Sequence, residues 1–226
     1  MSLRSRLVLR LSLALPIAAA MLFIPAGTWR FWQGWVILAI GFTYAPLAFS
    51  YFYKHDRELI ERRLRSKEKI IEQKRLVRLL KPIFFAAFLL PGFDYRLGWS
   101  RRLLGVVPVR LSLVSEGLIV CGLVTVFWVL KVNSFASRTI EVEAGQKVIS
   151  SGPYALVRHP MYTGSLVLML SLPLALGSYV AWPAFALLIP IYVYCLLNEE
   201  KFLRRELPGY REYCLRTRFR LIPFVW

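Results

Sequence analysis

Two adjacent glutamates, Glu199 and Glu200, close the apolar run IPIYVYCLL, Ile189 to Leu197. A carboxylate beside hydrocarbon is costly unless it is paired or put to use. On a helix, Tyr192, Cys195, Glu199 and Phe202 recur at i, i+3, i+7 and i+10 and share a face. That face makes a wall with an aromatic, a thiol and one carboxylate, suited to a cationic, partly apolar ligand. A second polar run, SSGPYALVRHPMYTG, spans Ser150 to Gly164 and sets Tyr154, Arg158, His159 and Tyr162 between apolar segments. Gly152-Pro153 and His159-Pro160 interrupt helix there, freeing backbone polar groups that at membrane depth can be satisfied only inside protein or by a ligand. Each feature also has a plainer reading. The glutamates can pair with Arg204 and Arg205 on an exposed helix. His159 can be a cap, Tyr154 and Tyr162 interfacial aromatics, and Arg158 an arginine reaching for head groups. The patterns G-x-G-x-x-G, G-x-S-x-G and H-E-x-x-H, and the phosphate-binding P-loop, are absent. Cys121, Cys195 and Cys214 are scattered, without histidine at ligand spacing, so neither a metal site nor a disulfide framework is expected.

The elements that would position these residues are membrane spans. The chain has 226 residues, is 57% hydrophobic and has a mean hydropathy of +0.51, too apolar for a soluble domain to cover itself. Its net charge of +17 falls in the gaps between apolar runs, which fits anionic head groups and membrane topology and argues against nucleic acid. The expected fold is all-α, with five to six apolar segments: Leu7 to Pro25, Trp29 to Tyr53, a weaker Leu79 to Phe93, Val107 to Leu130, Gly164 to Leu176 and Tyr179 to Leu197. The last two form a helical hairpin about Gly177-Ser178. The basic stretch Lys54 to Lys81 sets orientation by the positive-inside rule. It places both termini, that stretch and the loop Lys131 to Arg158 in the cytoplasm. Within the stretch, an amphipathic surface helix would turn Leu59, Ile60, Leu64, Ile70 and Ile71 to lipid. One membrane domain covers residues 1–226, its N-terminal spans in 1–132 and its polar core in 133–226.

Gly152-Pro153-Tyr154, Arg158-His159-Pro160-Met161-Tyr162 with Gly164, Glu199-Glu200, and a tail with Tyr210, Tyr213 and Arg220-Leu221-Ile222-Pro223 resemble the isoprenylcysteine carboxyl methyltransferases and their phospholipid N-methyltransferase relatives. The resemblance runs from Asn133 to Trp226. It implies an integral-membrane enzyme that uses S-adenosylmethionine in a cytosol-facing pocket. Carried over by position, Gln146, Lys147, Val148 and Ile149 match a strip whose backbone lines the cofactor. Tyr154 matches a pocket aromatic, His159, Pro160, Met161 and Tyr162 match cofactor contacts, and Glu199 matches the first glutamate of the pair.

The resemblance further implies methyl transfer to a lipophilic acceptor, foremost a carboxylate of the isoprenylcysteine type. A lipid amine is the alternative, and a non-catalytic relative of the fold is the rival reading. Arg158 would hold an acceptor carboxylate or phosphate, since guanidinium grips such groups bidentately. Glu200 would take the proton from an amine, and Tyr192 and Cys195 would face the acceptor. Cys195 stands where the prenylcysteine enzymes carry an arginine, a departure that bears on the acceptor. The setting is a bacterial or archaeal plasma membrane, or the endoplasmic reticulum.

Overall fold

Long apolar runs become helices because no water in hydrocarbon can satisfy an open backbone. The computed structural model describes residues 3–64, 71–136 and 145–226. Among these residues there is no strand. The helices are α1 (Leu3–Ala26), α2 (Trp32–His55), α3 (Arg57–Leu64), α4 (Ile71–Leu97), α5 (Trp99–Leu103) and α6 (Val109–Val132). A 3-10 turn at Gly152–Ala155 then precedes α7 (Pro160–Ala175), α8 (Trp182–Ala186), α9 (Ile189–Glu206) and α10 (Tyr210–Arg216). Leu7–Ala26, Trp32–His55, Val109–Val132 and Trp182–Glu206 are long and apolar enough to cross a membrane, and Pro160–Ala175 is a shorter apolar helix. The 24 residues of α6 rise about 36 Å at 1.5 Å each, enough for the roughly 30 Å of hydrocarbon. The expected all-α, multi-span architecture is what the chain adopts. The weaker segment Leu79 to Phe93 lies within α4.

Two compact units interleave along the chain. The first holds Met1–Ser50, Leu79–Val120 and Leu168–Leu188. Where α1 turns into α2, Phe23, Trp29 and Trp35 stack with centroids 4.7–6.0 Å apart, an aromatic group of the kind that settles at a membrane interface. After α4, buried Asp94 accepts the N–H of Ser100 at 2.7 Å and the hydroxyls of Ser100 and Ser178. Ser100 Oγ in turn accepts the N–H groups of Tyr179 and Val180 at 2.9 and 3.0 Å. The clasp satisfies the backbone of the turn that follows α7.

The second unit holds Tyr51–Arg78, Cys121–Val167 and Ile189–Trp226. Its α3 departs from expectation. The basic stretch is not one surface helix: α2 ends at His55, and Asp56 caps a new helix by accepting the N–H of Leu59 at 2.9 Å. Leu59 and Ile60 are buried in protein, 1% and 8% exposed, rather than turned to lipid. Arg62 and Arg63 donate to the carbonyls of Ser134 and Ala136 at 2.8 and 3.2 Å. An eight-residue helix gains its stability from such tertiary contacts. Ile70 of the expected lipid face lies outside the described residues.

Elsewhere in this unit α7 lies close against α6. A Cβ on Gly164 would stand 3.0 Å from the Gly122 carbonyl and 3.2 Å from Thr125 Cβ, so a side chain there would push the two helices apart.

Candidate functional site

The second unit holds a half-open cavity of about 320 Å³, within the range of small-molecule sites. One wall is the GPY turn. Gly152 has φ +58, a left-handed backbone that glycine adopts without a Cβ clash. The turn presents Tyr154, whose hydroxyl accepts a 2.8 Å bond from Asn133 Nδ2. The Tyr154 carbonyl accepts the Tyr213 hydroxyl at 2.8 Å and Thr217 Oγ1 at 3.4 Å. Burial pushes the Tyr154 phenol up to about 12, so it stays a neutral donor or acceptor.

The next wall is the RHP run. Its backbone is held by the C-terminal segment: Arg158 N–H donates to the Phe219 carbonyl at 2.9 Å, and His159 N–H to that of Arg220 at 3.0 Å. Pro160 then opens α7, where a missing N–H removes no helical bond. His159 is 5% exposed, and its Nε2 lies 3.5 Å from the Tyr210 hydroxyl. Burial lowers its pKa to about 4, the flanking Arg158 and Arg220 adding to the fall and Glu200 opposing it. The imidazole is therefore neutral at pH 7.

On α9 the two glutamates part. Glu199 Oε2 accepts the Tyr162 hydroxyl at 2.7 Å and lines the cavity. Tyr162 also stands edge-on to Tyr192 and to His159, centroids 6.0 and 5.8 Å apart. Glu200, 3% exposed, lies outside the lining and is ringed by arginines. Arg158 Nε is 2.8 Å from its Oε1 and Arg220 Nε 2.9 Å from its Oε2, with Arg204 at 3.5 Å. The Arg158 N–H is not aimed along that line, so the contact is a Coulombic pair rather than a hydrogen bond. Its Nη1 donates to the Cys214 and Thr217 carbonyls at 3.4 and 3.5 Å.

The cavity thus brings together Gln146, Lys147, Val148, Ile149, Tyr154, His159, Pro160, Met161, Tyr162, Glu199, Tyr192 and Arg158. Cys195 and Glu200 are not among its lining residues. Helix phase explains both. At 100° per residue, Glu199 and Leu203 fall within roughly 20° of Tyr192, while Cys195 and Glu200 lie about 60° and 80° away on opposite sides. Sequence reasoning missed Leu203 and Leu207, which extend the Glu199 row at i+4 steps and could have been found from it. It also missed Asn133, Phe135 and Arg63. Arg63 comes from α3, and no local pattern marks it. Among the described residues no group of three or more histidine, cysteine, aspartate or glutamate side chains could hold a metal ion.

Residues 111–208 match the family model "Phospholipid methyltransferase". The chain is 33% identical over 94 residues to the Delta(14)-sterol reductase of Mus musculus, covering 39% of this chain and 22% of that protein. It is 37% identical over 75 residues to the cobalt-zinc-cadmium resistance protein CzcN of Cupriavidus metallidurans, covering 31% of this chain and 33% of that one. The chain therefore spans a third or less of the length of these curated relatives.

Proposed function

We propose that this chain is an integral-membrane methyltransferase that binds S-adenosylmethionine in the cavity beside Glu199 and methylates a lipophilic acceptor. The observation that carries the reading is the Glu199–Tyr162 pair facing a cavity rich in tyrosine. Glu199 is the only carboxylate among the described lining residues. S-adenosylmethionine carries a sulfonium and an ammonium, and a carboxylate set in a protein-lined cavity is a stronger partner for either than one in bulk water. Tyrosine faces complement cations and flat rings alike. The family match over residues 111–208 supports the same reaction class.

Gln146 to Ile149, Tyr154, His159 to Tyr162 and Glu199 would hold the cofactor, which supplies an electrophilic methyl group when bound. The chain's own work is alignment and exclusion of water. Neutral His159 can hold a hydrogen bond without adding positive charge beside a cationic ligand.

An amine acceptor must be deprotonated before it attacks. Glu200 is tied to three arginines and turned from the cavity, so the carboxylate placed to receive that proton is Glu199. Arg158 is likewise committed to Glu200, which weakens its assignment as an anchor for an acceptor carboxylate. These commitments favour a lipid amine. A carboxylate of the isoprenylcysteine type remains the second reading, because Arg63 and Lys147 also line the cavity. By the positive-inside argument the site opens to the cytoplasm.

Calorimetric titration of S-adenosylmethionine into detergent-solubilised protein tests the cofactor. Glu199→Ala should weaken binding by roughly ten- to hundredfold, the value of a hydrogen-bonded charge contact. Unchanged affinity would return Glu199 to a structural role. Radiolabelled methyl transfer to an amine-headed lipid, set beside a prenylcysteine analogue, separates the two acceptors.

A further inference from the structure

We propose that the C-terminal segment from Leu215 to Trp226 is a docking surface for the head-group region of a bilayer containing anionic phospholipid. In this segment Leu221 is buried, but four apolar side chains face outward. Leu215, Ile222, Phe224 and Val225 are 78%, 53%, 89% and 74% exposed. A tail surrounded by water would turn such groups inward. Here the backbone is held so that they stay out. Leu221 and Ile222 N–H both donate to the Trp226 carbonyl, at 2.9 and 3.1 Å, and Trp226 N–H returns to the Ile222 carbonyl at 3.1 Å. At the tip Phe224 has φ 65, a left-handed conformation that is strained for a residue with a Cβ.

Charge names the occupant. Residues 198–226 carry seven lysines and arginines against four glutamates. One of those glutamates, Glu200, is already shared by Arg158, Arg204 and Arg220. Arg211, Arg216 and Arg218 are exposed beside the outward apolar groups. Arg220 stacks on the Trp226 ring at 5.2 Å, which fixes the edge of the loop. The segment follows the candidate span Trp182–Glu206 after the turn at Gly209, so it leaves the bilayer at its boundary. Apolar groups interleaved with arginine at that depth match acyl chains below and phosphates above. A nucleic acid would engage the arginines and leave Phe224 and Val225 in water.

The full chain, reconstituted in nanodiscs of phosphatidylcholine alone or of phosphatidylcholine mixed with phosphatidylglycerol, tests the surface by amide hydrogen exchange over residues 215–226. These amides should exchange more slowly in the anionic discs. Near an anionic surface each arginine is worth about fivefold, so Arg216→Gln with Arg218→Gln should erase roughly twenty- to thirtyfold of that protection. Phe224→Ser should speed exchange in both disc types, and thermal unfolding in detergent should show all variants folded. Equal exchange of the wild type in the two compositions would overturn the proposal. So would a lipid dependence that the double arginine variant retains.

Discussion

Glu199 and Glu200 are neighbours on one helix with opposite surroundings. Glu199 faces a cavity, takes one hydrogen bond from Tyr162 and keeps acceptor capacity for a ligand. Glu200 faces protein, and its two oxygens lie within 3.5 Å of three guanidinium groups. One residue of helix, 100° of rotation, separates them. The same side chain is therefore a candidate ligand-binding group in one case and a structural knot in the other. Arg158, His159 and Arg220 belong to the knot, and through their backbone pairing it sets the wall on which the first glutamate's cavity is built.

The contrast breaks most sharply at Glu200. Removing its carboxylate leaves Arg158, whose side chain is 6% exposed, charged and unpaired in the interior. Breaking a buried pair in that way costs about 3–5 kcal/mol. Arg204, 43% exposed at 3.5 Å, adds little, as exposed pairs do. Glu200→Ala should therefore lower the thermal unfolding temperature in detergent far more than Glu199→Ala. Adding Arg158→Met should recover part of the loss, because the orphaned charge is then gone. Equal destabilisation by the two alanine variants would remove the distinction between the two glutamates.

Much of this arrangement could be read from the chain before its fold was known. Apolar runs mark spans because hydrocarbon forces the backbone into helix. The GPY and RHP runs announce broken helix because proline cannot donate. Helical spacing puts Tyr192 and Glu199 on one face, and both line the cavity, but the row it draws also holds Cys195 and Phe202, which do not, and leaves out Leu203. The fate of Glu200 was legible only in its i+4 partner Arg204, because its closer partners Arg158 and Arg220 lie in other segments and no local rule joins them. Nor was α3. Its Leu59 and Ile60 have the spacing of a lipid-facing edge, and burial in protein satisfies the same apolar pattern. Periodicity reports that a face is apolar without naming what covers it.

A smaller effect comes from pH. His159 titrates near 4 in the folded protein and near 6.5 when unfolded. Between those values the unfolded chain binds a proton that the folded chain does not. Stability from this group is thus fully present above about pH 6.5 and is lost as pH falls toward 4, by up to about 1.4 kcal/mol per pH unit. Unfolding midpoints between pH 7 and 4 should fall less steeply in His159→Asn. Parallel profiles would show that the imidazole is not buried in its neutral form.

The finest distinction is within the cavity. Tyr162→Phe deletes the hydroxyl that donates to Glu199 at 2.7 Å and leaves the ring against Tyr192. If Glu199 is held ready for a cationic ligand, this bond orients the carboxylate without neutralising it. Its loss costs orientation alone, on the order of 1 kcal/mol or a several-fold weaker affinity for S-adenosylmethionine. The unfolding temperature should barely move, since the freed carboxylate borders a cavity that water can enter. A Tyr162→Phe protein that binds as weakly as Glu199→Ala would mean that the phenol itself meets the ligand. A variant that binds more tightly would mean that the hydroxyl competes with the ligand for the carboxylate, and that the pair is a resting state opened on binding.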